Sequence, residues 1–343
     1  MTHAPLRLRI DGAALADNWR LLDRMSGAAA CGAAVKADAY GLGAPGAVAR
    51  LAQAGCRDFF VATWAEAVAV AQPGVSVSVL HGVRAEDMAV ALAAAHARPV
   101  LGSIEQIRRW RDAGGGACDV MVDTGMNRLG IAPGDVAQGL LEGLMVENLL
   151  SHLACADEDV AMNRAQRDAF AALRQYRPAR RMSLANSAGI ALGTDYHFDL
   201  TRPGIALYGG RQGAGHAAIR QVVTPEAQVL QRRRVPAGET VGYNATWTAP
   251  ADTEVAVLNL GYADGYLRCF SSRGIALVDG RELPVLGRVS MDLLAVGVDA
   301  VPGVAEGDWV ALSYDLPATA ALSGLSQYEL LTGLGRRFDR IWR

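Results

Sequence analysis

Lysine is almost missing from this 343-residue chain: of its 33 basic side chains, 32 are arginine and one, Lys36, is lysine. Arginine therefore meets nearly every need for positive charge. The position kept as lysine is one that needs an amine able to lose its proton, which guanidinium cannot do. A lysine amine has a reference pKa of about 10.4 that burial depresses, and the neutral form attacks carbonyls. The competing explanation is a chance survivor of an arginine-rich coding bias, its stem lying along a strand end.

The other absences narrow the function class. No apolar stretch approaches the ~18 residues of a membrane span, and Met1–Asp11 carries charge without the apolar core of a secretory signal, so a cytoplasmic protein is expected. The five cysteines are scattered, odd in number and never spaced Cys-x-x-Cys, which excludes a disulfide framework and a zinc ribbon. His152-x-x-Cys155 has no second pair to complete it, so no metal is expected. With a net charge of −2 and no run of like charges longer than Arg232-Arg233-Arg234, nothing favours nucleic acid or an anionic membrane as partner. A small-molecule substrate is what remains.

At 51% hydrophobic the chain can bury a large core. Eight short apolar runs begin at Ala28, Asp58, Val75, Arg98, Cys118, Leu144, Arg181 and Phe198, the last reaching Tyr208. Helix candidates lie between them, such as 45–53, 64–71, 85–95, 104–113 and 162–176. That beat predicts an α/β chain: an N-terminal (β/α)8 TIM-type barrel over residues 11–219. Beyond it the texture turns to Val, Thr, Tyr and Trp with Gly and Pro turns, predicting a mostly-β C-terminal domain over 220–343, into which residues 1–10 pair.

Gly41-Leu42-Gly43-Ala44-Pro45-Gly46 matches the dinucleotide pattern G-x-G-x-x-G, with Glu66 about twenty residues on in the ribose-binding place. Against it, five residues separate the apolar run from the first glycine, and eight βα units suit a closed barrel better than an open sheet. A nicotinamide-dependent dehydrogenase stays as the alternative.

Chemistry-bearing residues gather at the C-terminal ends of the predicted strands, where barrel enzymes place their sites. Lys36 follows the first strand, Asp123 and Arg128 the fifth, His152 the sixth, Asn186 and Ser187 the seventh, and Arg202, Gly204 and Tyr208 surround the eighth. Each alone has a dull reading as a helix cap, a core histidine or a turn. Together they offer an amine, hydroxyls and amides for a phosphate, a flat ring and a permanent cation, a set that suits pyridoxal 5′-phosphate (PLP).

The motifs Val35-Lys36-Ala37-Asp38-Ala39-Tyr40-Gly41, Asp123-Thr124-Gly125-Met126-Asn127-Arg128, Ala185-Asn186-Ser187, Arg202-Pro203-Gly204-Ile205, Gly261-Tyr262-Ala263-Asp264-Gly265-Tyr266 and Gly287-Arg288-Val289-Ser290-Met291-Asp292 resemble those of the alanine racemases, PLP enzymes of fold type III. The resemblance runs from about Leu6 to Trp342. It implies a homodimer with shared active sites and an amino acid substrate. It implies that Lys36 holds PLP covalently while Tyr40, Ser187, Gly204, Ile205 and Tyr328 bind its phosphate. Asn186 joins the cofactor set, His152 lies near the ring and Arg202 meets the ring nitrogen. Lys36 and the partner subunit's Tyr243 would be the two opposed proton carriers. Arg128 and the Met291 backbone would contact the substrate carboxylate, with Tyr262, Arg268, Arg288 and Asp292 lining a narrow entrance. Many members carry a carbamylated lysine seven residues before the arginine; here that residue is Met121. The activity implied is interconversion of L- and D-alanine for cell-wall synthesis, with a broader amino-acid racemase or a decarboxylase of the same fold type as rivals.

Overall fold

Gly32 divides the first apolar run into two short strands, and the barrel closes at that division. The computed structural model describes residues 4–176 and 178–343. Two compact units make up the chain, residues 14–220 and residues 1–13 with 221–343. The first strand, β1 (Leu6–Ile10), belongs to the second of these units.

In the unit of residues 14–220, the strands are β2 (Ala30–Cys31), β3 (Ala33–Ala34), β4 (Asp58–Val61), β5 (Ser76–Val79), β6 (Ala97–Leu101), β7 (Cys118–Met121), β8 (Val146–Leu150), β9 (Arg181–Ser183) and β10 (Leu200–Thr201). Strands β3 to β9 pair in sequence order and in parallel, while β10 pairs in parallel with β2. Backbone bonds finish the circuit. The N–H groups of Asp199 and Arg202 donate to Met182 and Ala185 on one side, and those of Ala30, Gly32 and Ala34 donate to the carbonyls of Asp199, Thr201 and Pro203 on the other. The eighth run thus joins the seventh to the first, giving the TIM-type arrangement. Gly32 is required at the join because a Cβ there would lie 2.8 Å from the Asp58 carbonyl oxygen and 2.9 Å from the Phe60 ring.

Ala34, Phe60, Val100, Leu150 and Leu200 fill the barrel, with Leu80 and Met121 packed against them. Near the N-terminal ends of the strands the interior turns polar. The buried Asp119 carboxylate accepts from Ser78, Arg98 and Asn148, Arg181 reaches Asn148, and Arg181 also pairs with Asp58. Buried charge is tolerated there because each group has a partner. Cys31 and Cys118 are free thiols whose pKa burial pushes up to about 12, so neither is a ready nucleophile.

Some elements differ from expectation for local reasons. The run 198–208 is a strand only at Leu200–Thr201, since Pro203 has no N–H to continue the ladder, and Ile205–Tyr208 coils into a 3-10 turn. The helix expected over 85–95 is a 3-10 turn, Ala85–Asp87, followed by a short helix, Met88–Ala93. An unforeseen helix, Gly12–Ser26, buries Leu15, Trp19 and Leu22 on one face. Among the described residues, no helix is long and apolar enough to cross a membrane.

The other unit is built on one long strand, β11 (Val223–Val235). With it go the hairpin β12 (Thr240–Val241) and β13 (Trp247–Thr248), then β14 (Thr253–Leu258), β15 (Ile275–Val278), β16 (Arg281–Leu286), β17 (Leu294–Gly297), β18 (Trp309–Leu312) and β19 (Asp339–Trp342). Along its length β11 pairs with β1, then β18, then β14, and a register shift between Val229 and Gln231 lets it bend. Because β14, β17, β16, β15 and β18 pair in that order, the sheet returns to β11. Strand β1 pairs antiparallel to β11, Leu6 opposite Ala227 and Ile10 opposite Val223.

Gly32→Ala is expected to destabilise the protein by about 1–3 kcal/mol, the usual cost of overpacking a tight core, read as a lowered urea midpoint. A midpoint equal to wild type would show that the join has room to spare.

Candidate active site

Three residues beyond β3 the backbone does something unusual. Ala37, Asp38, Ala39 and Tyr40 all have φ between 53° and 56°, four left-handed residues in a row with no glycine among them. Each such residue costs roughly 1–2 kcal/mol, so the turn persists only because its surroundings hold it. The Ala39 and Gly41 N–H groups donate to Val35 and Ala37, and the Asp38 carboxylate accepts from Ala44 N–H at 2.7 Å. Glu66 supplies the remaining clamp: one of its oxygens accepts from Ala37 N–H at 2.7 Å and the other from Ala62 N–H at 2.7 Å. The turn presents Lys36, whose amine is shifted below its usual pKa by burial and by the Arg128 charge, against an opposing pull from Glu66.

Beside this turn lies a cradle. The Ser187 hydroxyl oxygen accepts from Gly204 N–H at 2.9 Å and from Ala206 N–H at 3.3 Å, so a side-chain hydroxyl and two amides converge. Tyr40 packs on the buried Tyr208 with ring centroids 4.7 Å apart, and Tyr208 donates to the Ala34 carbonyl, fixing both rings to the strand that carries Lys36. A Cβ at residue 204 would overlap the Tyr40 hydroxyl, so glycine is what lets that hydroxyl approach the backbone. Tyr40, Ser187, Gly204 and the neighbouring Ile205 are therefore brought together. Asn186 adjoins Ser187, and its side-chain oxygen accepts from Gly189 N–H at 2.8 Å, capping Ser187–Ala191.

Cations and a neutral ring complete this side. Arg202 is buried and donates to two neutral acceptors, the Ser183 hydroxyl and the Ser151 carbonyl. Burial lowers its pKa to about 10, which still leaves it charged near neutrality. His152 is partly buried; desolvation and the charges of Arg202, Arg128 and Lys36 drive its pKa down to about 3. Its imidazole is thus a neutral flat surface. Burial pushes the Asp123 carboxyl up, but N–H groups of Gly125, Asn127, Arg128 and Met126 outweigh this and hold it below its ordinary value. Asp123 so shapes the loop carrying Arg128 by binding its backbone, at 2.8 Å to Gly125 N–H and 3.1 Å to Arg128 N–H. The Arg128 guanidinium pairs with no carboxylate among the described residues, and Met121 packs on the apolar barrel interior. A donor set of amine, hydroxyls, amides, neutral ring and buried cation fits a phosphorylated pyridine aldehyde.

In the β unit, Tyr243 stands on the turn between β12 and β13, 63% exposed, with Asn244 and Ala245 left-handed behind it. A second group gathers around Gly261–Asp264. Tyr262 and Ala263 N–H groups donate to the carbonyls of Ser290 and Met291, and Arg268 lies over the Tyr262 ring at 5.6 Å. The buried Asp264 accepts from Gly261 N–H and from Arg337, which also pairs with Asp292 at 2.7 Å. Tyr262, Arg268, Met291 and Asp292 thereby share one neighbourhood, with Arg288 preceding it on the same segment and partly buried. Tyr328 lies on the helix Gln327–Thr332, 39% exposed. Sequence reading missed Arg337, and it saw Glu66 only as a ribose ligand, although Thr63-x-x-Glu66 is a legible capping box.

The profile described as Alanine racemase, N-terminal domain, matches residues 10–212, and that for the Alanine racemase, C-terminal domain, matches residues 222–342. An alanine racemase of Acidiphilium cryptum is 42% identical, covering 97% of this chain and 98% of its own. Agrobacterium fabrum has two relatives, each 42% identical, one named biosynthetic (98% of this chain, 93% of its own) and one catabolic (97% and 91%). Among solved structures, alanine racemase from Bartonella henselae with covalently bound pyridoxal phosphate superposes with a TM-score of 0.87 at 34% identity, covering 98% of this chain and 99% of that one.

An unfolded histidine takes its proton near 6.5, whereas His152 in the fold resists until about 3. Its contribution to stability is complete above pH 6.5 and is lost as pH falls through that window. Between about pH 7 and about pH 4.5, wild type should lose more stability than His152→Phe in urea titrations. Equal losses would mean that the folded imidazole protonates normally.

Proposed function

The chain belongs to the alanine racemase family, and from that premise we propose how its own residues divide the reaction. Its activity is the PLP-dependent interconversion of L- and D-alanine. The nicotinamide alternative falls with the family assignment. The observation that carries the reading is Lys36, the chain's single lysine, held on a clamped left-handed turn beside the Ser187–Gly204 cradle with its amine pKa depressed.

Lys36 would anchor the cofactor, with Tyr40, Ser187 and the backbone of Gly204 and Ile205 meeting its phosphate and Tyr328 adding a hydroxyl. Bound PLP supplies an electron-withdrawing ring conjugated to the substrate nitrogen, which acidifies the Cα–H bond. Arg202 would meet the ring nitrogen. As a guanidinium that keeps its protons, it offers no proton to that nitrogen, which limits electron withdrawal and favours return of a proton to Cα over transamination. His152, neutral, would lie against the ring face without adding charge. Asn186 serves by capping the helix that begins with Ser187.

Inverting a carbon centre requires proton carriers on opposite faces. From D-alanine, Lys36 would take the Cα proton and Tyr243 would deliver one to the opposite face; from L-alanine, Tyr243 would take the proton and Lys36 would deliver one. Arg128, on its Asp123-held loop, and the Met291 backbone receive the substrate carboxylate. Tyr262, Arg268, Arg288 and Asp292 restrict access, the last held by Arg337. We propose that Tyr243 acts in the site of a second copy, in a homodimer, and that the enzyme works in the cytoplasm. With Met121 in place of a carbamate-forming lysine, Arg128 depends on the loop backbone for its orientation.

The biosynthetic and catabolic relatives are equally similar, and we favour supply of D-alanine for cell-wall synthesis. Deletion of the encoding gene should then create a D-alanine requirement for growth; growth without it while no second racemase is present would point to catabolism.

Polarimetry on the purified holoenzyme should show inversion of L-alanine without CO2 release, and CO2 release without inversion would make it a decarboxylase. Tyr243→Phe should keep the yellow bound cofactor and slow solvent exchange of the Cα proton from L-alanine by a factor of about 100 or more, the usual contribution of a general base, while sparing D-alanine. Equal residual exchange from both isomers would contradict the assignment. Arg128→Ala should raise KM by about tenfold or more, the loss of one charge-assisted contact.

A further inference from the structure

We propose that Glu66 is the positioning residue for Lys36: its single carboxylate holds the N–H of Ala37, at the entry to the left-handed turn, and the N–H groups of Ala62 and Thr63, at the start of the helix Trp64–Ala69. This rests on Lys36 being the proton carrier argued above.

The geometry asks for both oxygens at once. One accepts from Ala37 N–H at 2.7 Å; the other accepts from Ala62 N–H at 2.7 Å and Thr63 N–H at 3.2 Å. Ala37 is the residue directly after Lys36 and the first of the four with positive φ. Bonds within the turn join the Ala39 and Gly41 N–H groups to Val35 and Ala37, and the Ala37 N–H goes to Glu66. A bond on the first N–H of the turn is where an outside group has most leverage over the direction in which the preceding side chain leaves the strand. Glu66 itself is not adjustable: Thr63 accepts from its N–H at 3.3 Å in a reciprocal cap, and the side chain is half-buried. Around the amine, the other charged or titratable neighbours are Arg128 and His152, and Glu66 is the carboxylate among them.

Glutamine is nearly isosteric but cannot accept on both ends. Its NH2 must face either Ala37 N–H or the helix-start N–H groups, donor against donor. A plain helix cap would instead leave Ala37 out of account.

On the PLP-loaded enzyme, Glu66→Gln is expected to slow racemisation by about tenfold or more, the loss of one charge-assisted bond that positions Lys36 through the backbone of Ala37. The primary isotope effect from Cα-deuterated D-alanine, whose proton Lys36 takes, should rise, and that from Cα-deuterated L-alanine should fall toward unity. Thr63→Ala removes the other half of the same cap but leaves the Ala37 bond; it should stay within about twofold of wild-type rate, its cost falling on helix stability. If Glu66→Gln does not fold, Glu66→Asp, charged but too short to span both sets of amides, carries the same expectation. Similar rate losses in the Glu66 and Thr63 variants with unmoved isotope effects would overturn the inference and leave a cap. A wild-type enzyme that does not invert alanine would instead overturn the proposed function, and this inference with it.

Discussion

Closure of the barrel at Gly32 is the constraint that shapes the site. The N–H groups of Ala30, Gly32 and Ala34 step along the carbonyls of Asp199, Thr201 and Pro203, so the strand that ends at Lys36 runs beside the one that ends at Arg202 and Gly204. That register sets the first and eighth strand exits next to each other, and the contact of Tyr40 with Tyr208 locks them. A side chain at residue 32 would push against both the Asp58 carbonyl and the Phe60 ring. The cradle is a consequence, because it takes Gly204, with its bond to Ser187, from one side of the join and the Tyr40 hydroxyl from the other.

Electrostatics then decide what chemistry the rim favours. Lys36, Arg128 and Arg202 all act on His152, and each pushes its pKa down after desolvation has done so. Among the described residues Arg202 donates to neutral acceptors, the Ser183 hydroxyl and the Ser151 carbonyl, and Asp123 binds backbone amides. The rim is therefore rich in positive charge, and a phosphate and a carboxylate are the anions that would balance it. The same field favours a neutral amine at Lys36, since removing one of several crowded charges lowers the repulsion. Binding and reactivity come from one charge arrangement.

Much of this was legible from the amino acids alone. Lys36 stood out by composition, the barrel by its eight runs, and the rim residues by falling after successive strands. What the sequence concealed has physical causes. Ala37-Asp38-Ala39-Tyr40 contains no glycine to make positive φ easy, so the left-handed turn is imposed by tertiary contacts. Glu66 falls both at the spacing of a ribose-binding acid and at the N3 position of a capping box with Thr63, and spacing alone does not separate the two. Strand β10 is shorter than its apolar run because Pro203 ends the ladder. The Asn186 cap on the Gly189 N–H joins residues three apart, a spacing that the motif also carries. Arg337 reaches Asp264 from 73 residues away, a distance at which one sequence carries no pairing signal.

Everything at the rim turns on the chain's one lysine carrying the cofactor. Borohydride reduction of the yellow holoenzyme, followed by proteolysis and mass mapping, examines this with no competing side-chain amine. A single pyridoxyl-bearing peptide containing Lys36 is expected, with loss of activity in step with labelling. Label confined to the amino terminus, or full activity after Lys36 is reduced, would contradict it.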